Sequence, residues 1–302
     1  MNERRFRVMG TDAHVIVVGG AREATARAAA RLDALEQRWS RFLPDSELSR
    51  LNAADGMPCV VSADTLLLVN LLRRAWRDTD GRFDPTMHDA LVSLGYERSW
   101  PDVDAVDELP AATAARGCAE ITIDHNTRMV WLPAGLHLDA GGLGKGLAAD
   151  LVAGELVESG AAGAMVNVGG DLRVIGEPPE GEHWRLRVEH PADSEQTVAE
   201  IPIAGGGIAT TSRGRRTWSA GGQTVHHVLD PQTGQAADRP WVTATVVAGT
   251  AWWAEALAKV AFLDGTLSGH RAAALFVDED GTVRTSGDDP ERWFQIPEGA
   301  VA

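Results

Sequence analysis

Residues 139–150 read Asp-Ala-Gly-Gly-Leu-Gly-Lys-Gly-Leu-Ala-Ala-Asp, and no other stretch limits the fold so tightly. A short apolar run, Val130-Trp131-Leu132 with Leu136 and Leu138, leads into Asp139. Gly141, Gly142, Gly144 and Gly146 surround Lys145. Leu147, Leu151, Val152 and Leu156 then recur at helical spacing as far as Gly160. The order is strand, glycine turn, helix. A helix start offers backbone N–H groups without intrahelical partners, and glycines let an anion come close to the backbone. Lys145 adds a full positive charge, so the stretch reads as a holder of phosphate or pyrophosphate. The plainer reading is a glycine turn with a solvated lysine. Two common fingerprints fail on counting. A Walker A loop needs Gly where Asp139 stands and Ser or Thr where Gly146 stands, and the third glycine of G-x-G-x-x-G is Leu147 here.

Around this turn the chain alternates short strands and helices without a regular βαβ rhythm, which predicts an α+β fold with mixed or antiparallel sheets and packed helices. The periodicity predicts helices over 22–38, 63–79 (capped by Ser62), 144–159 and 251–262. Strands are expected at 6–10, 13–18, 120–123, 129–132, 164–168, 172–175, 184–188, 198–203, 207–211, 225–229, 242–248, 273–277 and 283–285. Residues 99–117, polar and rich in Pro and Ala, read as an excursion. The expected organisation is a single domain over 1–287, one body or two packed lobes, with a C-terminal tail at 288–302 that frays.

The formal net charge of −15 argues against a nucleic-acid partner, which needs a basic face. An anionic dinucleotide then needs a local positive pocket, which Lys145 with Arg213, Arg215 and Arg216 could supply. Cys59 and Cys118 lack any metal-ligand spacing, so zinc is not expected. No stretch approaches the roughly 18 apolar residues of a membrane span. The first residues, Met1-Asn2-Glu3-Arg4-Arg5, hold no apolar leader and no lipoprotein cysteine. The expectation is a cytoplasmic protein, or an exported one if a leader has been trimmed.

Seven blocks in order resemble the ApbE family of flavin transferases. Met9-Gly10-Thr11 matches M-G-T, and Ser40 to Asn52 matches S-x-[FY]-x-x-x-S-E-[LI]-x-x-[LI]-N. Gly81-Arg82-Phe83-Asp84-Pro85-Thr86 matches G-x-F-D-P-T. The glycine turn matches D-[LA]-G-[GS]-[IL]-[AG]-K-G, and Asn167 to Asp171 matches N-x-G-G-[DN]. Thr211-Ser212 matches a T-S pair, and His227 to Gly234 matches H-x-x-D-P-x-T-G. The resemblance implies a T-fold-like architecture, FAD as substrate, and attachment of FMN through a phosphoester to a Thr or Ser of an acceptor flavoprotein, with release of AMP. Such flavinylation is a post-translational modification of a partner carrying an S/T-containing motif.

By the same resemblance, Met9, Ser46, Asn52, Asp84, Asp139, Gly141, Gly142, Lys145, Gly169, Gly170, Asp171, Thr211, Ser212 and His227 border the flavin dinucleotide. Lys145 and Asp139 take part in catalysis with His227, the candidate general base. A neutral imidazole suits removal of a hydroxyl proton near neutral pH. His226 points the other way if the segment is a strand, and the family spacing selects His227. Read alone, Ser46, Asn52, Asp84 and Ser212 are cap or turn residues.

One block departs from the family. The pattern A-D-A-L-[AS]-T, whose Asp and Thr bind Mg²⁺ with help from a backbone carbonyl near Gly142, is Ala254-Glu255-Ala256-Leu257-Ala258-Lys259 here. Either Glu255 still ligates magnesium, or the Lys259 ammonium at least partly takes the metal's place. Glu and Lys four apart are also an ordinary helix-surface pair. Two other functions stay open beside the transferase: a pyrophosphatase giving FMN and AMP, and a FAD-binding protein without catalysis.

Overall fold

The structure, a computed structural model, describes residues 1–297. In chain order the first elements are β1 (Asn2–Val8), β2 (Thr11–Gly19), α1 (Ala24–Trp39), α2 (Glu47–Asn52), β3 (Cys59–Val60), α3 (Ala63–Asp78) and α4 (His88–Ser93). Then come β4 (Thr122–Asp124), β5 (Met129–Trp131), α5 (Gly144–Glu158), β6 (Ala161–Val168), β7 (Asp171–Gly176), β8 (Trp184–His190) and β9 (Asp193–Ile203). The remainder is β10 (Gly206–Ser212), β11 (Thr217–Ala220), β12 (Gln223–His226), β13 (Trp241–Ala248), α6 (Ala251–Asp264), β14 (Ala273–Asp278), β15 (Val283–Gly287) and α7 (Pro290–Trp293). The chain forms two compact units. Unit 1 comprises Met1–Asp33, Lys145–Gly214 and the chain from Asp238 onward; unit 2 comprises Ala34–Gly144 and Arg215–Ala237.

Unit 1 is built on an eight-stranded sheet in the order β1-β2-β6-β7-β10-β13-β14-β15, antiparallel at every pairing. Two of its hairpins turn on two residues with positive φ, Met9-Gly10 (53° and 68°) and Gly169-Gly170 (69° and 98°). That is the turn geometry whose twist matches the flanking strands, and it is why glycine stands there. The two loops adjoin: Gly169 N–H donates to Asp12 O at 2.9 Å. Strand β13, Trp241–Ala248, is buried on both faces over nearly its whole length, which is why it reads as an apolar run without alternation. The β8–β9 hairpin covers one face: Trp184, Val188, Val198, Ile201 and Ile203 share a core with Leu172, Val174, Leu275 and Val277. Helix α6 packs on β7, β10, β13 and β14.

Helices α5 and α6 are fastened at their ends. Thr250 at the N-cap of α6 makes no side-chain cap bond. The Asp150 carboxylate on α5 does that work, accepting from Ala251 N–H at 3.0 Å and Trp252 N–H at 2.8 Å. Gly146 lets the two helices meet, since a Cβ there would stand 2.5 Å from Ala251 O. Gly265, with φ 68°, closes α6 in the left-handed conformation.

Unit 2 holds α2, α3 and α4, a three-stranded sheet β3-β5-β4 and the hairpin β11–β12. Ser62 caps α3 through Thr65 N–H, as the sequence suggests. Met87, Leu91, Leu94, Tyr96, Trp218, Val225 and Leu229 form its apolar cluster. The excursion at 99–117 carries no helix or strand but is tied down, Val106 N–H donating to Ser219 O and Ala115 N–H to Pro231 O.

Three differences from the sequence reading stand out. Helices α2 and α4 and strand β3 are too short for periodicity to show. The expected strand at 225–229 is replaced by the hairpin β11–β12, which stops at His226, because Asp230-Pro231 starts a turn in which Asp230 O accepts from Gly234 N–H. Residues 290–293 of the expected tail form α7, with Phe294 buried in the unit 1 core and Gln295 bridging to Glu200; residues 298–302 of that tail lie outside the described residues. Both cysteines are free. No described helix is long and apolar enough to cross a membrane.

Candidate functional site

In unit 1, the start of α5 meets the middle of α6 in a cluster of four charged side chains. Lys145 Nζ lies 2.5 Å from Glu255 Oε1 and 2.8 Å from Asp171 Oδ2. Lys259 Nζ approaches the same Glu255 Oε1 at 3.4 Å from one turn along α6. The other oxygen, Oε2, accepts from Gly146 N–H at 2.8 Å. The helix start and lysine that the sequence assigns to a phosphate therefore already hold an anion, and that anion is Glu255. The two carboxylate side chains are shut away (0% and 5% exposed) while Lys145 and Lys259 keep 15% and 23%. The cations thus form the open side of the cluster.

These positions set the protonation states. Burial raises the Glu255 carboxyl, but Lys145, Lys259 and the Gly146 N–H together outweigh it and bring it down to about 2. Burial and the nearby Glu255 charge push Asp171 up, against the pull of both lysines. Burial lowers the Lys259 ammonium, opposed by Glu255.

The strand ends of unit 1 add further predicted residues. Met9, Gly169 and Gly170 are the hairpin loops, with open space where a Gly170 Cβ would stand. Asp171 begins β7. Thr211, near the end of β10, is buried, and its hydroxyl has no hydrogen-bond partner among protein atoms. Ser212 Oγ is used locally, accepting from Gly214 N–H at 3.1 Å.

In unit 2 a second group surrounds Asp139. Its backbone N–H donates to Pro85 O at 2.8 Å, its Oδ1 accepts from Gly141 N–H at 2.5 Å, and its Oδ2 pairs with Arg41 Nε at 2.7 Å. Arg41 is itself clamped over the rings of Phe42 and Tyr96. Asn52, the last residue of α2, grips Leu138 at both ends of its amide, each bond 2.9 Å, and so fixes the backbone leading into the glycine turn. Ser46 is fully committed as the N-cap of α2. Asp84 accepts from Thr86 N–H and Oγ1, a turn that Gly117 N–H ties to Thr86; burial raises its carboxyl against those bonds. Gly141 is exposed and Gly142 half-buried in the turn before α5.

The two histidines separate cleanly. His226 Nδ1 accepts from Val228 N–H at 3.2 Å and its Nε2 meets Ala237 O at 3.1 Å. That pattern is the neutral tautomer with both nitrogens engaged, so His226 holds the loop. His227 follows the strand end, half-buried. Asp230 of the same block pairs with Arg82 at 3.0 Å. Of the candidate basic cluster, Arg213 is tied to Glu279 and Trp241 O, and Arg216 donates to the Tyr96 hydroxyl.

Sequence reasoning missed Arg41, Arg82 and Asp150. Each occupies a block, but at a position whose partner lies far along the chain. Among the described residues, ligand atoms gathered as for a metal occur at His88, Asp89 and His137, where Asp89 Oδ1 lies 2.8 and 2.7 Å from the two Nδ1 atoms.

A magnesium ion does not fit the Glu255 cluster. The ion demands near-ideal octahedral oxygen donors at about 2.0–2.1 Å. Here one Glu255 oxygen takes two ammonium groups, the other takes a backbone N–H, and the Asp171 oxygen takes Lys145. The four charges already cancel, so a divalent ion would enter beside two cations, and both Glu255 oxygens already accept hydrogen bonds.

A sequence profile of the ApbE family matches residues 9–279. The chain belongs to the ApbE family. A relative named FAD:protein FMN transferase in Escherichia coli K12 is 32% identical over 234 residues, 75% of this chain and 66% of the relative, so the match spans just under two thirds of that protein. One of the same name in Klebsiella pneumoniae is 33% identical over 256 residues, 81% of this chain and 73% of the relative. The ApbE protein of Thermotoga maritima superposes with a TM-score of 0.81 at 23% identity, covering 94% of this chain and 96% of its own. The Pseudomonas stutzeri flavinyl transferase ApbE gives 0.76 at 23%, covering 94% of each chain. The α+β architecture with antiparallel sheets is therefore the ApbE fold.

Proposed function

We propose that this chain is a FAD:protein FMN transferase. The observation that carries the reading is the ApbE match over residues 9–279, joined to relatives of that name at about one third identity. The local chemistry supports a dinucleotide substrate. Lys145 and Lys259 face the open side of their cluster, Gly170 leaves room beside its backbone, and the buried Thr211 hydroxyl has a bond to give.

In the proposed reaction, the hydroxyl oxygen of an acceptor Thr or Ser bonds to the FMN phosphorus of FAD. The P–O bond to the AMP phosphate breaks, and AMP leaves. The hydroxyl proton passes to His227, the histidine that the family spacing before Asp230-Pro231 selects. Such transfer depends on alignment of the nucleophile and neutralisation of charge on the phosphoryl oxygens. Asn52, Asp139 and Arg41 hold the glycine turn in place, while Lys145 and Lys259 supply positive charge.

The test is incubation with FAD and an acceptor flavoprotein fragment bearing an S/T-G-A-T-like motif. A transferase adds the mass of FMN to the acceptor and releases AMP in equal amount. AMP with free FMN and an unmodified acceptor would identify a pyrophosphatase instead. Bound flavin without AMP would identify a binding protein.

A further inference from the structure

We infer that Lys259 replaces the divalent cation in this chain, so that two ammonium groups, those of Lys145 and Lys259, carry the charge neutralisation that magnesium supplies where Asp and Thr stand. The inference rests on the flavin-transferase reading for its substrate, but its structural half does not.

Four observations support it. First, Lys259 is the last residue of the altered block, where the family pattern has Thr, one helical turn from Glu255, and its ammonium sits 3.4 Å from the Glu255 oxygen. Second, both oxygens of that carboxylate already accept hydrogen bonds, Oε1 from Lys145 as well as Lys259 and Oε2 from Gly146 N–H. Third, the carboxylate is fully buried, and a buried glutamate needs permanent counter-charge. A labile ion would leave it bare whenever the ion departs, whereas a covalently attached ammonium never does. Fourth, both lysines keep part of their surface open (15% and 23%) while both acids are shut away (0% and 5%). The cluster is neutral in sum but presents its positive side outward. That is the polarity an approaching phosphate or pyrophosphate requires.

Glu255 and Lys259 therefore act as a pair whose substitutions compensate. A lysine at 259 needs the longer glutamate at 255 to reach it along the helix, and together they keep the cluster neutral without a metal. The consequence for the reaction follows from charge. An ammonium neutralises one phosphoryl oxygen through hydrogen bonds, while a divalent ion polarises two at once. The expected enzyme is slower but indifferent to chelators.

The experiment has an arm without flavin and an arm with it. Without flavin, thermal unfolding and isothermal titration are run on wild type, K259T and the double variant E255D/K259T, in EDTA and in millimolar MgCl2. Wild type should show the same midpoint in both buffers and no saturable heat with MgCl2. Both variants should unfold earlier in EDTA, and the double variant should recover on adding MgCl2. With flavin, wild-type affinity for FAD should be unchanged by EDTA. The double variant should lose about tenfold or more in EDTA and regain it with MgCl2, while K259R, which keeps a fixed cation at that position, should stay insensitive to EDTA. Saturable magnesium binding by wild type, or FAD affinity of wild type that needs magnesium, overturns the inference. So does a double variant that responds to magnesium no differently from wild type. If no protein binds FAD under any condition, the substrate reading fails, and the flavin-free arm still decides whether Lys259 has taken the metal's place.

Discussion

At the scale of single residues, the most telling case is a pair of neighbours that sequence alone treats as near equals. His226 and His227 are adjacent, and the spacing before Asp230 favours the second. In the structure His226 is a holder of the loop, its Nδ1 accepting from Val228 N–H and its Nε2 meeting Ala237 O. His226→Ala should therefore reduce stability, by roughly 1–3 kcal/mol for two lost bonds, and leave turnover per folded molecule near wild type. His227→Ala should keep FAD affinity and lose transfer by about 10²–10⁴-fold. Urea unfolding and AMP release, measured on both variants, check this; equal loss of transfer in the two would reject His227 as the base. The same scale shows what a sequence conceals. The block around Lys145 was legible as an anion holder, and so was the spacing of Glu255 and Lys259. That the anion held is Glu255 itself was not, because 109 residues separate Gly146 from its acceptor. Arg41 was passed over for the same reason, since its partner Asp139 lies in another block. A consequence is that Lys145→Ala is a poor probe of phosphate binding: it also strips a partner from two buried carboxylates.

At the scale of elements, the long periodic segments were legible and the short ones were not. Helices α1, α3, α5 and α6 fall within a few residues of their expected bounds: α1 and α3 show a repeated apolar face, while α5 and α6, largely buried apolar helices, are marked by their length and by the glycines that follow them. Helices α2 and α4 have six residues each, less than two turns, so no period appears. The junction of α5 with α6 shows what the final Asp of the glycine block does. Asp150 caps α6 from a neighbouring helix, a role no local pattern signals. Burial pushes its carboxyl from 3.8 up to about 6, against the two N–H donors. The folded chain then holds this proton more tightly than the unfolded chain. The stability contributed is complete below pH 3.8 and is lost as pH rises to about 6, amounting to roughly 3 kcal/mol at most. The unfolding free energy of wild type relative to Asp150→Asn should fall across that window. A difference that stays constant from pH 4 to 7 would show instead that the N–H donors keep the carboxylate charged.

At the scale of the whole molecule, the excursion at 99–117 is where the chain is most open to attack. Arg98 and Arg116 are exposed there, in a segment without helix or strand. Limited trypsin digestion should cut first after these two residues and leave a nicked chain that elutes as the intact one does. First cuts in the β8–β9 hairpin, after Arg185 or Arg187, would contradict this, and mass spectrometry distinguishes them. The order of the strands has a consequence for synthesis. Strand β2 pairs with β6, yet the larger segment of unit 2, Ala34–Gly144, is encoded between Gly19 and Ala161. A ribosome therefore releases the β1–β2 hairpin early and must finish most of a second folding unit before that hairpin meets its neighbour in the sheet. Until then one edge of β2 stays bare, a template for wrong pairing. The charged β1, with Glu3, Arg4, Arg5 and Arg7 along it, is the part of the nascent chain best suited to keep such an early hairpin dissolved while it waits.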